Sequence, residues 1–137
     1  MKNFLKVAVI LTVTLFIAVS CKQEPQEAPK DAIVNIQVVN SGKDKTPVTG
    51  IDVYMFKGSV FDELGAAKEA SEQHATVSEA TGKAEFKVAA GAFASNRSQV
   101  LWFVIFDDNG NGTELVRKYF VLYEGKNESV TITLPAK

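Results

Sequence analysis

Residues Lys83–Val88 read KAEFKV, and this hexapeptide decides the fold class. The apolar residues Ala84, Phe86 and Val88 alternate with charged residues. A period of two places alternate side chains on opposite faces of an extended strand. The segment therefore predicts a strand with one buried and one solvated face, entered through a turn at Thr81-Gly82.

Strand-like runs continue on both sides of this hexapeptide and are separated by turn residues. They are Ile33–Val39, Ile51–Phe56, His74–Glu79, Val100–Phe106, Leu115–Leu122 and Val130–Leu134. Seven short strands at this spacing predict a mainly β domain, a seven-stranded antiparallel β-sandwich of the transthyretin-like or immunoglobulin-like kind.

One segment, Ser59–Gln73, departs from the strand pattern because it is rich in Ala, Glu and Lys. Ser59 is placed to cap a helix, with Asp62 three residues later. Val60, Leu64 and Ala67 share one helical face, with Phe61 beside it. We expect a helix of two to three turns, inserted after the second strand.

Two stretches resemble the transthyretin-like or carboxypeptidase-regulatory-like domain. They are TPVTGIDVYMF at Thr46–Phe56 and ATVSEATGKAEFKV at Ala75–Val88. The resemblance implies a prealbumin-type sandwich that acts as a non-catalytic folding or interaction module, and it brings no active-site residues. The Ser59–Gln73 insertion is a departure from the family pattern.

The amino terminus has the form of a secretory signal, with Lys2 and Lys6 before the uncharged run Val7–Val19 and then Ser20-Cys21. Thirteen residues in a helix reach roughly 20 Å, short of the roughly 30 Å hydrocarbon core. The sequence IAVSC resembles a bacterial lipobox. This resemblance implies lipid on the Cys21 thiol, cleavage before Cys21 and acylation, as with palmitate, of the new amino terminus. An ordinary signal peptide is the alternative.

The signal divides the chain into three parts. Residues 1–20 are the predicted lipoprotein signal peptide, residues 21–31 a lipidated tether and residues 32–137 the β-sandwich domain. The tether begins CKQEPQEAPK and has no large apolar side chain. We expect a lipid-anchored protein of the bacterial cell envelope, at the outer membrane on its periplasmic or surface side.

The charge balance argues against nucleic acid as a partner. The chain has 15 basic and 16 acidic side chains, and losing Lys2 and Lys6 with the signal leaves 13 basic ones. The net charge is then about −3, and the sequence contains no basic stretch that would hold a phosphate backbone.

We predict no catalytic residues and no cofactor other than the lipid. Cys21 is the only cysteine and His74 the only histidine, so neither a thiol nor a histidine cluster remains for catalysis or for zinc. We expect His74 to be an ordinary surface residue.

The loop DDNGNGT at Asp107–Thr113 has two interpretations. As a calcium loop it would use Asp107, Asn109 and Asn111 at alternate positions, but the closing position holds Lys118 where a glutamate belongs, and Glu114 comes four residues too early. The two Asn-Gly pairs suit a hairpin turn, because both residues tolerate positive φ. We favour the hairpin without a metal and keep Asp107, Asn109, Asn111 and Glu114 as a weak calcium candidate.

The strand Val100–Phe106 is apolar on both faces. We place Val100, Trp102, Val104 and Phe106 in the core, which leaves Leu101, Phe103 and Ile105 as an outer apolar surface that needs a cover. Phe61 and Leu64 of the inserted helix are one cover, and a partner protein or a second copy in a homodimer is the other.

These observations predict a binding or assembly module that is not an enzyme. Its expected partners are the membrane, through the lipid, and a protein or glycan. A carbohydrate-binding accessory lipoprotein, assisted by calcium at the Asp107–Glu114 loop, is the second hypothesis.

Overall fold

The computed structural model describes residues 28–64, 66–93, 95–107 and 112–136. In these ranges one α-helix, α1 (Gly58–Leu64), follows the second of seven strands. The strands are β1 (Ala32–Val39), β2 (Asp52–Lys57), β3 (Gln73–Thr76), β4 (Ala84–Val88), β5 (Ser98–Phe106), β6 (Glu114–Tyr123) and β7 (Asn127–Thr133). The prediction of a mainly β, seven-stranded sandwich with a short helix after the second strand is confirmed.

The strands form two sheets, ordered β4-β1-β7 and β3-β2-β5-β6. Every neighbouring pair is antiparallel except β1 and β7, which run parallel from Ile33↔Asn127 to Val39↔Thr133. The expectation of a purely antiparallel sandwich is therefore wrong at this pair. A parallel pair needs a long connection, and here the other five strands lie between the two partners along the chain.

The core lies between the two sheets and is built from alternate residues of the strands. Ala84, Phe86 and Val88 of β4 are buried as their alternation predicts. They meet buried residues of β1, β2, β5, β6 and β7, among them Val34, Ile36, Val38, Val53, Met55, Leu101, Phe103, Ile105, Leu122, Val130 and Ile132.

Helix α1 ends well before the predicted limit at Gln73. A 3₁₀ turn at Lys68–Ala70 follows it, and Gln73 already pairs with Met55 as part of β3. The chain must return to the edge of β2, so sheet pairing overrides the helix-forming composition. Ser59 lies inside the helix, which begins one residue earlier at Gly58.

The start of α1 lies close against β5. A Cβ built on Gly58 would come within 2.8 Å of Val100 Cγ1, closer than real Cβ contacts allow. Glycine at this position therefore permits the helix to pack directly on the sheet formed by β3, β2, β5 and β6. No described helix is long and apolar enough to cross a membrane.

Candidate functional site

The predicted interaction surface of Leu101, Phe103 and Ile105 is wrong. All three side chains are buried in the core between the sheets, with at most 1% of their surface exposed. Directly opposite residues on neighbouring strands project to the same face of a sheet. Because Met55 pairs with Phe103 and Met55 faces the core, Phe103 and its alternate neighbours must face the core too.

The other face of β5 carries the even-numbered residues, and part of it is covered by α1. Phe61 of the helix is 6% exposed and belongs to a second apolar cluster with Phe56, Val104 and Phe106. The helix therefore covers one face of β5, but through Val104 and Phe106, not through the odd-numbered residues. The Leu64 side chain, expected to share this role, lies outside the described part of the structure.

Trp102 belongs to this second cluster and not to the core between the sheets, where we expected it. Its ring stacks on Phe61 with a centroid distance of 4.6 Å and meets Tyr119 edge-on at 5.3 Å. The Arg117 guanidinium lies 5.4 Å from the Phe61 ring centroid and 5.8 Å from that of Trp102. Cations over aromatic rings at such distances are attracted by the ring quadrupole. The position of Trp102 is thus fixed on three sides.

Beyond the helix, the outer face of the β5–β6 pair stays open to solvent. Cross-strand pairing places Val100 beside Val121, Trp102 beside Tyr119, and Tyr123 beside Ser98 on this face. Tyr119 is 50% exposed, Tyr123 55% and Val100 36%. We call this surface the aromatic face and define it by Val100, Trp102, Tyr119, Val121 and Tyr123.

The aromatic face remains open because α1 packs over the β2 side of β5, whereas β6 is the edge strand of its sheet. Arg117 borders the face and forms an ion pair with Glu114, with 3.0 Å between Nε and Oε1. The face therefore combines two half-exposed tyrosine rings with an arginine at its border whose charge is paired with that of Glu114.

The Asp107–Thr113 loop joins β5 to β6 as a hairpin connection. The backbone N–H of Asp107 donates to the carbonyl of Thr113 at 2.8 Å, and a register shift after Ile105 leaves Leu115 as an extra residue in β6. Asn109 and Asn111 lie outside the described residues, so the loop without a metal stays a prediction and calcium its weaker alternative. In the ranges that the structure covers, no group of three His, Cys, Asp or Glu side chains could hold a metal ion.

The remaining site predictions concern Cys21 and His74. Cys21, the predicted lipidation site, lies outside the described residues. His74 is an exposed residue of β3, and its ring stacks on Tyr54 with centroids 5.4 Å apart.

Comparisons with known proteins concern the fold alone. No family model matches the sequence, and no curated protein matches it either. The structure is similar to the Bacillus anthracis TIE protein, with a TM-score of 0.49 and 13% identity over 77% of this chain and 17% of that chain. It is also similar to a double mutant of the shaft pilin SpaA from Lactobacillus rhamnosus GG, with a TM-score of 0.44 and 8% identity over 78% of this chain and 50% of that chain. The chain thus spans no more than half the length of either protein.

Proposed function

We propose that this chain is a lipid-anchored, non-catalytic protein of the bacterial cell envelope that binds a protein partner through the aromatic face. One observation carries the binding proposal. Of the large apolar side chains that the described part of the structure leaves exposed, Val100, Tyr119 and Tyr123 belong to the aromatic face, and Leu115 lies at the bulge near the start of β6. Exposed apolar surface that is gathered in one place is typical of interaction sites.

The chemistry of the face favours a protein. Tyrosine and arginine are enriched at protein interfaces, because each offers a large contact area and hydrogen-bonding groups together. Tyr119 and Tyr123 present half-exposed rings, and Arg117 stands at the border of the face. The partner that fits has an apolar contact surface with hydrogen-bond acceptors at its rim, because the Arg117 guanidinium keeps N–H donors beyond the Nε that faces Glu114.

The anchor and the finer family assignment belong to the same proposal. The lipobox-like IAVSC supports lipid on Cys21, and the TPVTGIDVYMF and ATVSEATGKAEFKV stretches support a transthyretin-like domain. Lipid on Cys21 would hold the domain at the outer membrane by the tether of residues 21–31. Two or more acyl chains give durable attachment, whereas a single chain does not.

A photo-crosslinking residue in place of Tyr119, in the full chain expressed in bacterial cells, tests the binding face. A discrete adduct that disappears when Tyr123→Ser is added supports the proposal. The matched control carries the same crosslinker in place of Glu85, which is exposed on the other sheet. Equal adducts at both positions, or none at Tyr119, would contradict a binding face here. An adduct of twice the chain mass would identify the partner as a second copy.

A glycan is the second candidate ligand, because exposed tyrosine rings on the face of a sheet can stack on sugars. Trp102 is less suited to this role, since its ring already stacks on Phe61. Screening the soluble domain on a glycan array, with and without calcium, checks this alternative. Binding that Tyr119→Ser abolishes would favour the glycan over the protein partner.

A further inference from the structure

A second surface feature lies at the end of the domain where the tether enters. It is a cleft of about 350 Å³ lined by Ala28, Lys30, Arg97, Tyr123, Glu124, Gly125 and Lys126. Its walls come from three separate segments: the first described residues, the turn before β5, and the turn that joins β6 to β7. We call it the tether cleft.

Glu124 holds the three segments of the tether cleft together. Its Oε1 accepts the backbone N–H of Lys30 at 3.0 Å, and its Oε2 lies 3.4 Å from Arg97 Nε. Its backbone N–H donates to the Arg97 carbonyl at 2.9 Å. The Glu124 side chain is only 12% exposed. The cleft is therefore braced by its own hydrogen bonds before any ligand arrives.

The groups that remain available in the cleft are donors. The guanidinium of Arg97 has five N–H donors, the Glu124 contact engages its Nε, and its side chain is 63% exposed. Within the residues that the structure describes, no carboxylate pairs with Lys126. The side chains of Arg97 and Lys126 therefore line the cleft together with one carboxylate that is already engaged, and Tyr123 lines it with them.

Arg97 has a backbone conformation that is uncommon for its residue type. Its φ of 59° lies in the left-handed region, where a residue other than glycine is rare and costs free energy. This conformation directs the Arg97 carbonyl to the N–H of Glu124 and its side chain to the cleft. Backbone strain of this kind collects at ligand sites, where the surrounding contacts hold it in place.

Ala28 follows Cys21 by seven residues, which span at most about 25 Å when fully extended. We propose that the tether cleft binds the phosphate of an anionic phospholipid headgroup and so fixes this end of the domain on the membrane; the proposal rests on the lipid anchor at Cys21. Arg97 and Lys126 are the main ligands, and Glu124 positions Arg97. Arginine binds phosphate well because its planar fork offers parallel donors.

Lysine acetylation of the full-length chain tests the tether cleft. The chain is purified from bacterial cells and reconstituted into vesicles of phosphatidylcholine alone, or of phosphatidylcholine and phosphatidylglycerol in equal parts. Acetylation at each lysine is then followed by mass spectrometry. Lys126 should react at least about fivefold more slowly in the anionic vesicles. This factor corresponds to the attraction of one basic residue to an anionic surface. Lys43 and Lys45 should not change, because β1 separates their loop from the cleft.

Arg97→Asn distinguishes a site from the general surface potential, since asparagine tolerates the left-handed conformation. Protection of Lys126 should fall to near the level in neutral vesicles in this variant, while Lys43→Gln should leave it intact. Unchanged protection in Arg97→Asn, or equal protection of Lys43 and Lys126, would overturn the proposal. If inorganic phosphate protected Lys126 in neutral vesicles and the anionic lipid had no effect, the ligand of the cleft would be a free phosphate compound and not a lipid headgroup.

The same mass spectra distinguish a failure of headgroup binding from a failure of the lipid anchor. A purified chain without lipid on Cys21 would refute the anchor, and the unlipidated chain, titrated with the same vesicles, would still show whether Lys126 is protected.

Discussion

Replacing Phe61 by alanine tests whether α1 covers the sheet. Phe61 of α1 contacts Trp102 and Phe56, and its side chain is 6% exposed. Burial of a phenylalanine side chain stabilises a fold by about 1.5–3 kcal/mol. Each favourable aromatic pair adds about 0.5–1.5 kcal/mol. The space left by the ring would lie near the surface and could admit water. The loss in the free energy of unfolding should therefore lie toward the lower end of the summed burial and aromatic-pair contributions.

We therefore expect Phe61→Ala to lower the free energy of unfolding by about 2.5–4 kcal/mol, against about 3–5 kcal/mol for a fully enclosed phenylalanine. Urea unfolding of residues 22–137 measures it, and the midpoint should fall by more than about 1 M. Trp102 is the only tryptophan and stacks on Phe61, so its native fluorescence should shift to the red as water reaches the ring.

Two controls make this result interpretable. Asp62→Ala changes an exposed neighbour on the same helix and should alter stability by less than about 0.5 kcal/mol. Phe103→Leu removes volume on the opposite face of β5, so it should destabilise the domain without shifting the Trp102 emission. If Phe61→Ala behaved like Asp62→Ala in both stability and emission, the helix would not cover the sheet in solution.

Three further predictions concern the anchor, the loop and the tether end. Cys21→Ala should abolish incorporation of labelled palmitate and release or stall the protein; equal labelling of the variant would refute lipid attachment. Millimolar calcium should leave the melting temperature unchanged in the wild type and in Asp107→Ala, and a calcium-dependent rise that a chelator reverses would contradict the metal-free hairpin. The backbone N–H of Ala90 and then the Lys87 ammonium lower the pKa of Asp31 below its ordinary value of 3.8. A lowered pKa stabilises the fold above the ordinary pKa, and the gain is lost as pH falls through the folded value. The stability advantage of the wild type over Asp31→Asn should therefore shrink as pH falls below about 3.8 in urea titrations, and an advantage independent of pH would contradict this.

The sequence was sufficient to predict which side chains of a strand point into the core wherever the other face of that strand was polar. KAEFKV alternates strictly, so the inward set of Ala84, Phe86 and Val88 follows from the pattern alone, and it is confirmed. A run such as VLWFVIF has no polar face, and periodicity cannot say which set points inward. The choice is made by the neighbouring strand, where Met55 on the core face pairs with Phe103.

Two other features depend on long-range contacts that a local pattern does not encode. Alternation in β7 predicts a strand but not its direction, and its parallel pairing with β1 joins residues more than ninety positions apart, such as Ile33 and Asn127. The end of α1 is set by the return of Gln73 to Met55. The aromatic face was missed because its assignment depended on the register of β5, although Tyr119, Val121 and Tyr123 alternate along β6.

Tyr123 connects the two proposed binding surfaces. It is the last residue of β6, it belongs to the aromatic face, and it also lines the tether cleft. A headgroup that orders Tyr123 would prepare the aromatic face for its partner, and the partner would strengthen headgroup binding by the same factor, because coupling between two sites is reciprocal. With the partner identified, its affinity for the chain on anionic and on neutral vesicles should differ, and the difference should vanish in Arg97→Asn, which removes a headgroup ligand and leaves the aromatic face unchanged. Equal affinities on both vesicles in the wild type would show that the two surfaces act independently.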